Sequence, residues 1–346
     1  MIAGLGTLID TVQRNCDIAD ARHARDVTMC TYLLGMREHY RWEHALPFGA
    51  SPPRQEVGRW ISEREIGWAQ LDEAEYAPLA LGDESVAPFD APRANVLLNR
   101  HGLVYGAGIG RFGKPHFFLG RLARAERRDG AQLLVCECEY ARDISAIPAA
   151  LQGETILVRR DALRQWLWQK VEGWAVKRQP GALARALAAH DYDADPHAAL
   201  ERLVESETET LILHETGELA AGRLLGPAWH ERLAALRHRH AELLLRAVRD
   251  LLADCLVTLP ALVGQRRDAS LHLWFADFDG LRRELAPGLA AAYGQANYSG
   301  GGTAVDALQH AIAAGAAHWL HVARTLRDAD DLALVALAQA PQSLTL

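Results

Sequence analysis

The chain has 346 residues, of which 49% are hydrophobic and 23% charged, and its formal net charge is −7. This composition is typical of a globular protein with a large core, and it excludes a disordered chain. The acidic balance excludes nucleic acid as an expected partner, and no apolar run is long enough to span a membrane. The length predicts two domains, or one domain with an elaborated end.

The five cysteines are scattered, and no two of them form a CxxC pair. They predict reduced thiols and a cytoplasmic protein rather than a disulfide framework or a zinc ribbon. The first ten residues lack the basic segment of a signal peptide, which agrees with that prediction.

The N-terminal region, residues 1–80, is predicted to be helical. One long helix is expected over 17–44 and a second over 55–70, with the apolar face of the second formed by Val57, Trp60, Ile61 and Trp68. Residues 81–92 are rich in Gly, Pro and Asp, and they predict a linker.

The region 93–177 changes to the pattern of a small α+β unit. Strands are predicted at 103–105, 116–124, 132–140 and 155–159, with a turn at Asp129-Gly130, and a helix over 161–176 backs the sheet. Gly106–Gly113 has the glycine content of a dinucleotide fingerprint. That fingerprint requires a helix directly after it, and here a strand follows, so a loop between strands is predicted.

The C-terminal region, residues 181–330, is predicted to be a helical bundle, with helices at 181–190, 197–225, 229–262, 271–286 and 303–327. The predicted fold class is therefore α+β, mainly α: N-terminal helices, a small antiparallel β-sheet and a C-terminal helical bundle.

The strongest functional signal lies on the helix predicted over 197–225. At about 100° per residue, one apolar stripe of this helix carries Glu207, His214 and Glu218. The helix that follows repeats the pattern with Asp250 and Asp254, one turn apart. Ionisable groups on core-facing stripes need partners, so the two helices are expected to face each other.

His214 and Glu218 have the spacing at which two side chains of one helix reach one metal ion. Asp250 and Asp254 would supply the facing half, and Glu207 is a further ligand or a supporting acid. His318 is a polar residue among small ones on the last helix, and it is the expected closing ligand. The mixed nitrogen and oxygen donors suit a divalent transition metal: iron, manganese or zinc.

His214-Glu215-Thr-Gly-Glu218 is also a partial match to the zinc-protease motif HExxH, with Glu218 in place of the second histidine. In that motif the residue after the first histidine is a general base, and this role would fall to Glu215. Gly217 weakens a helix interior by about 1 kcal/mol, which counts against the match.

An alternative from another functional class stays open. The acids and His214 could form a buried hydrogen-bond network, completed by Arg223, Arg246 or Arg249, that only fixes the register of the helices. The protein would then be a non-catalytic binding or assembly protein. Its aromatic N-terminal helix would pack against a partner or a second copy.

Several runs resemble a family of uncharacterised bacterial proteins, and the resemblance covers most of the chain. The runs are Asn15–His23, Tyr32–Glu43, Gly106–Gly120, Leu213–Glu218 and Ala247–Asp254. The family implies no activity. A looser similarity, in site logic alone, is to helical di-iron carboxylate proteins, although their paired Glu-x-x-His motifs are missing here.

The sequence therefore predicts a metal-dependent enzyme, oxidative or hydrolytic, with its site inside the C-terminal bundle. The expected partners are a small-molecule substrate and, in a homo-oligomer, a second copy of the chain. No nucleic acid and no membrane are expected.

Overall fold

The computed structural model describes residues 4–299 and 302–346. Contacts within the chain divide it into two units, residues 1–169 and 170–346. The predicted region 1–80 and most of 93–177 lie in the first unit, and 181–330 lies in the second. The fold is α+β and mainly helical, as the sequence predicts.

The first unit begins with the helices α1 (Leu5–His23), α2 (Met29–Glu43) and α3 (Arg54–Trp68). The prediction of one helix over 17–44 was wrong, because the chain breaks between His23 and Met29. Val27 is extended there, and the Thr28 hydroxyl accepts a hydrogen bond from the N–H of Thr31, which starts α2. Apolar residues continue on both sides of the break, so the sequence pattern does not show it. The third helix agrees with the predicted 55–70.

The predicted linker at 81–92 is in fact ordered. A small hairpin joins β1 (Leu79–Leu81) to β2 (Glu84–Val86), and Gly82 takes a positive φ of 65° at its turn. Helix α4 (Ala91–Leu98) follows, capped by the Asp90 carboxylate. The Gly, Pro and Asp residues of this segment form a tight turn and the start of a helix, not a linker.

Five strands form the main sheet of this unit in the order β3-β4-β5-β7-β6: β3 (Leu103–Ile109), β4 (Pro115–Arg128), β5 (Ala131–Arg142), β6 (Ala149–Gln152) and β7 (Thr155–Arg159). Asp129 and Gly130 both have positive φ and close the predicted hairpin. β5 and β7 pair in parallel, and the other neighbours are antiparallel. The short strand β6 was not predicted.

The first half of the predicted glycine loop belongs to strand β3. Gly106 pairs with Phe118 and Gly108 with His116. A Cβ at Gly106 would lie 2.1 Å from the Phe118 ring, so a neighbouring side chain fills the space that a β3 side chain would use. A Cβ at Gly108 would meet Gln152 of β6 at 2.5 Å, which shows that the sheet curls until its edge strands approach each other.

The helix α5 (Arg160–Ala175), predicted over 161–176, leads from the sheet into the second unit, which is built from helices. They are α6 (Ala182–Ala189), α7 (Pro196–Leu225), α8 (Pro227–Ala235), α9 (Arg239–Ala253), α10 (Leu259–Gly264), α11 (Asp268–Ala276), α12 (Gly280–Leu285), α13 (Pro287–Ser299), α14 (Gly302–Asp328) and α15 (Asp331–Gln339). A π-helical turn, Asp254–Thr258, joins α9 to α10, and a 3₁₀ turn, Pro341–Leu344, ends the unit.

Two predicted helices of the second unit were wrong in their extent. The segment 229–262 is interrupted where Leu236 becomes extended. The segment 271–286 breaks before Gly280, whose φ of 50° is one that glycine adopts most readily. Helices α13 and α15 were not predicted. Within the described ranges, no helix combines the length and the apolar character that crossing a membrane requires.

The core of the second unit packs around α9, whose buried residues face α7 and α14. Trp229 and Trp319 are its largest fully buried side chains. This packing fixes the position of α7 against α9, where the predicted site residues lie.

Candidate metal centre

Helices α7 and α9 touch backbone to backbone at Gly217. A Cβ on Gly217 would lie 2.5 Å from the carbonyl oxygen of Ala253, so no other residue fits there without moving a helix. The glycine that was expected to weaken the helix therefore permits this close contact with α9. His214 and Glu218 flank Gly217 on one helix, and the acids Asp250 and Asp254 flank Ala253 on the other.

The imidazole of His214 lies between two carboxylates. Its Nδ1 is 2.8 Å from Oδ1 of Asp254, and its Nε2 is 3.7 Å from Oε1 of Glu218. Asp254 is fully buried. A carboxylate on one ring nitrogen fixes the orientation of the ring and directs the other nitrogen, which is the arrangement that supports metal-binding histidines.

The π-helical turn places Asp254 at this position. The N–H of Leu259 donates to the carbonyl of Asp254, one residue farther along than in an α-helix. Pro260 follows, and its ring would clash with the carbonyl four residues before it in a regular helix. The wider turn also shifts the buried face by one residue: Thr258 and Leu262 are buried, whereas Val257 and Ala261, which a regular helix would place on the stripe of Asp250 and Asp254, are only partly buried.

His214, Glu218 and Asp250 each direct one potential ligand atom to a common point. These three atoms lie within 4.8 Å of one another, close enough to hold one metal ion. The histidine side chain is 23% exposed and the two acids are 10% and 15% exposed, so a small molecule can reach the group from solvent. Asp254 supports this group through the far nitrogen of His214.

Two residues of the predicted ligand set lie elsewhere. Glu207 is two turns before His214, about 10.5 Å along the axis, and it accepts a hydrogen bond from the Ser206 hydroxyl at 3.2 Å. The Nε2 of His318 lies 2.9 Å from the carbonyl oxygen of Leu344, to which it donates. The structure does not bring Glu207 or His318 to the group, because neighbouring segments use their polar atoms.

Two arginines complete the surroundings. Nη2 of Arg249 bonds Oε1 of Glu218 and lies 3.4 Å from Oδ1 of Asp250. Nη1 of Arg282, on α12, lies 3.6 Å from Oδ2 of Asp254. Arg249 was among the candidates of the alternative hypothesis. Arg282 was missed, since no periodic pattern links α12 to the two acidic helices.

Glu215 is 5% exposed, and its Oε2 has no hydrogen-bond partner among the described residues. Burial, strengthened by the charge of Glu218, raises the pKa of Glu215 to about 8. Its carboxyl group therefore holds a proton at neutral pH and can release it slightly above.

Glu218 and His214 ionise in the opposite sense. Burial favours neutral forms, but Arg249 and His214 outweigh it and lower the pKa of Glu218 to about 2. Burial also opposes the charged form of His214, yet Asp254 and Glu218 raise its pKa well above the usual range. Without a metal, His214 is thus an imidazolium held between two carboxylates.

The charges of this cluster balance in two ways. With Glu215 protonated, the cations His214, Arg249 and Arg282 match three carboxylates, namely Glu218, Asp250 and Asp254. If His214 and Glu215 each lose a proton, a divalent cation restores neutrality. A buried cluster needs such balance, so one divalent ion can replace two protons there.

Comparisons with known proteins identify the family of this chain. No curated protein and no solved structure matches the chain. Residues 7–159 match the N-terminal domain of a family of unknown function, DUF6866, and residues 164–339 match its C-terminal domain. The two matches span most of the sequence, and the chain belongs to the DUF6866 family.

Proposed function

We propose that the second unit is a metal-dependent hydrolytic enzyme whose ion is held by Nε2 of His214 and the carboxylates of Glu218 and Asp250. One observation carries the proposal: Asp254 holds Nδ1 of His214, Nε2 lies 3.7 Å from Oε1 of Glu218, and potential ligand atoms of His214, Glu218 and Asp250 lie within 4.8 Å of one another. Three nitrogen and oxygen ligands with open positions are characteristic of catalytic rather than structural sites. The donor set suits iron, manganese or zinc.

Glu215 supports hydrolytic rather than oxidative chemistry. A bound ion lowers the pKa of a coordinated water, and the reaction then needs a nearby group that accepts and returns a proton. The pKa of Glu215, about 8, suits that role, and its Oε2 has no hydrogen-bond partner in the described part of the chain. Arg249 would hold a polar group of a small substrate.

The non-catalytic alternative rests on a different observation. Arg249 already bridges Glu218 and Asp250, so a guanidinium can serve as the cation between the helices. In that case the cluster only fixes how α7 packs on α9, and the protein binds or assembles rather than catalyses.

Elemental analysis distinguishes the metal-dependent enzyme from the non-catalytic alternative. Protein purified without added metal should carry a transition metal in near-stoichiometric amount. His214→Gln and Asp250→Asn should each lower the metal affinity by at least roughly 10- to 100-fold. That is the loss that changes around metal ligands typically cause. His318→Gln is the matched control, because His318 bonds Leu344, and it should retain the metal.

Calorimetry in buffers of different ionisation enthalpy adds a second readout. Near neutral pH, metal binding should release about two protons, from His214 and Glu215, and affinity should fall as the pH is lowered. Wild-type protein that neither contains nor binds a metal would establish Arg249 as the cation of the site.

The five cysteines are free. Free thiols suit a reducing compartment, and on that ground we also propose a cytoplasmic location.

A further inference from the structure

A second candidate site lies in the first unit, inside the curled sheet. A cavity of about 130 Å³ is lined mainly by residues of strands β3, β4, β6 and β7. Most of its wall is apolar, with Ile109, Phe118 and Leu157 among the lining residues, and its polar lining side chains are His116, Gln152 and Arg159. At about 30 Å³ per water, the cavity has room for roughly four waters or one small organic molecule.

Two glycines of β3 make room for side chains that line this cavity. Gly106 and Gly108 of β3 line the cavity. A Cβ at either position would collide with the Phe118 ring or with Nε2 of Gln152. At these two positions the strand contributes backbone to the wall, while β4, β6 and β7 supply side chains. The glycine-rich stretch seen in the sequence is therefore part of a cavity wall.

Arg159 is the cation of this cavity. It is 4% exposed, its guanidinium lies 4.5 Å from the centre of the Phe118 ring, and its Nε donates to Oε1 of Glu139 at 2.6 Å. Its Nη2 has no hydrogen-bond partner in the part of the chain that the structure describes. A buried donor without a partner is costly, and an anion is its best partner.

The neighbouring carboxylates are already engaged. Glu139 also bonds Arg142, so two guanidinium groups share one carboxylate. Oδ2 of Asp143 lies 3.1 Å from Nδ1 of His116, and its Oδ1 accepts from the N–H groups of Ser145 and Ala146. These bonds leave Nη2 of Arg159, a residue of the cavity wall, without a hydrogen-bond partner among the described residues.

We propose that this cavity binds a small carboxylic acid with a short aliphatic chain. Its carboxylate would pair with Arg159 and accept from the side-chain amide of Gln152, while the chain lies against the apolar wall. Arg159 and Gln152 match the two oxygens of a carboxylate, since His116 is engaged by Asp143, and the apolar remainder of the wall would leave the further oxygens of a phosphate dianion without partners. The site is independent of the metal centre proposed in the second unit.

The test uses the full-length protein and a series of probes: acetate, butyrate and inorganic phosphate. Ligand-observed NMR should show saturable butyrate binding. Binding should weaken by about fourfold for each methylene removed, down to acetate, because the wall is apolar. Phosphate should not bind.

Three variants locate the binding. Arg159→Gln should weaken butyrate at least about tenfold, the loss expected for a charged hydrogen bond. Ala150 of β6 pairs with Leu157 and lines the cavity, so Ala150→Phe should fill it and abolish binding without a change of charge. Arg127→Gln removes an exposed cation of the hairpin and should bind as wild type.

Circular dichroism checks that each variant is folded. If Arg159→Gln unfolds, Ala150→Phe still decides the question. Absence of saturable butyrate binding by the wild type would overturn the proposal. So would unchanged binding by Ala150→Phe, or binding of phosphate in preference to butyrate.

Discussion

Glu215 and Glu218 show how far the surroundings of a residue decide its chemistry. The two are one turn apart on α7 and both are buried, yet the pKa of Glu215 rises to about 8 and that of Glu218 falls to about 2. Arg249 and His214 contact Glu218, whereas Oε2 of Glu215 has no hydrogen-bond partner among the described residues. The sequence shows two identical residues, and only the structure distinguishes the carboxyl that keeps its proton from the one that is ionised.

The raised pKa of Glu215 predicts a pH-dependent stability of the metal-free protein. An unfolded chain ionises this carboxyl from about pH 4.5 upward, while the folded protein holds the proton up to about pH 8. The folded state therefore binds more protons in this window, and stability declines as the pH rises through it. Glu215→Gln removes that decline, so the variant should exceed wild type at about pH 9 by on the order of 2–4 kcal/mol.

Urea unfolding of both metal-free proteins at about pH 5 and about pH 9 measures the effect as a free energy of unfolding. Glu231→Gln, at an exposed position of α8, is the control and should follow wild type at both values. If Glu215→Gln also follows wild type, Glu215 is ionised in the folded protein and is not the proton carrier of the site.

At the scale of a helix, periodicity predicted which residues meet. The spacing of His214 and Glu218, and that of Asp250 and Asp254, placed four residues on two stripes, and the structure brings all four together. What helical periodicity cannot predict also has a physical reason. A uniform turn of about 100° per residue contains no π-helical turn, and it cannot show that Leu344 takes the hydrogen bond of His318.

The contact of α7 with α9 predicts the effect of a single methyl group. Gly217→Ala places a Cβ 2.5 Å from the Ala253 carbonyl, and forcing the helices apart should cost about 1–3 kcal/mol in the free energy of unfolding. Metal affinity should fall as well, since the ligands lie on both helices.

Gly173→Ala in α5 is the matched control. A Cβ at Gly173 meets no atom within 4 Å, and alanine is the better helix former, so this variant should gain about 0.5–1 kcal/mol. Thermal unfolding compares the stabilities of Gly217→Ala and Gly173→Ala. Equal stabilities would mean that the helices do not depend on the glycine contact.

For the whole molecule, the sequence predicted the fold class but not the shape of the sheet. Alternating strands, the Asp129-Gly130 turn and long helical stretches were visible in the pattern, and the structure contains them. The curl was not visible, because it depends on which side chains fill the space above Gly106 and Gly108. A glycine in a sequence does not say whether it belongs to a loop or to a crowded strand.

The division into two units predicts that the metal centre needs only the second. His214, Glu218, Asp250 and their partners Arg249, Asp254 and Arg282 all belong to residues 170–346. A fragment covering 170–346 should therefore be helical and bind the metal with the affinity of the full chain, within about twofold, a difference of roughly 0.4 kcal/mol. Chelator competition measures both affinities. A folded fragment without metal affinity would show that the first unit contributes to the site.

The π-helical turn at Asp254–Thr258 also bears on how this family can vary. The turn holds one residue more than a regular helix would, so the loss of one residue after Asp254 would restore regular α-helical pairing and leave Thr258 and Leu262 on the buried face. A deletion between Asp250 and Asp254 has no such wide turn to absorb it, and it would rotate one acid away from the other by about 100°. Members of the family that keep the site should therefore tolerate the loss of one residue between Asp254 and Thr258, but none between Asp250 and Asp254. The connection at 176–181 joins two helices by turns and is free to change in length.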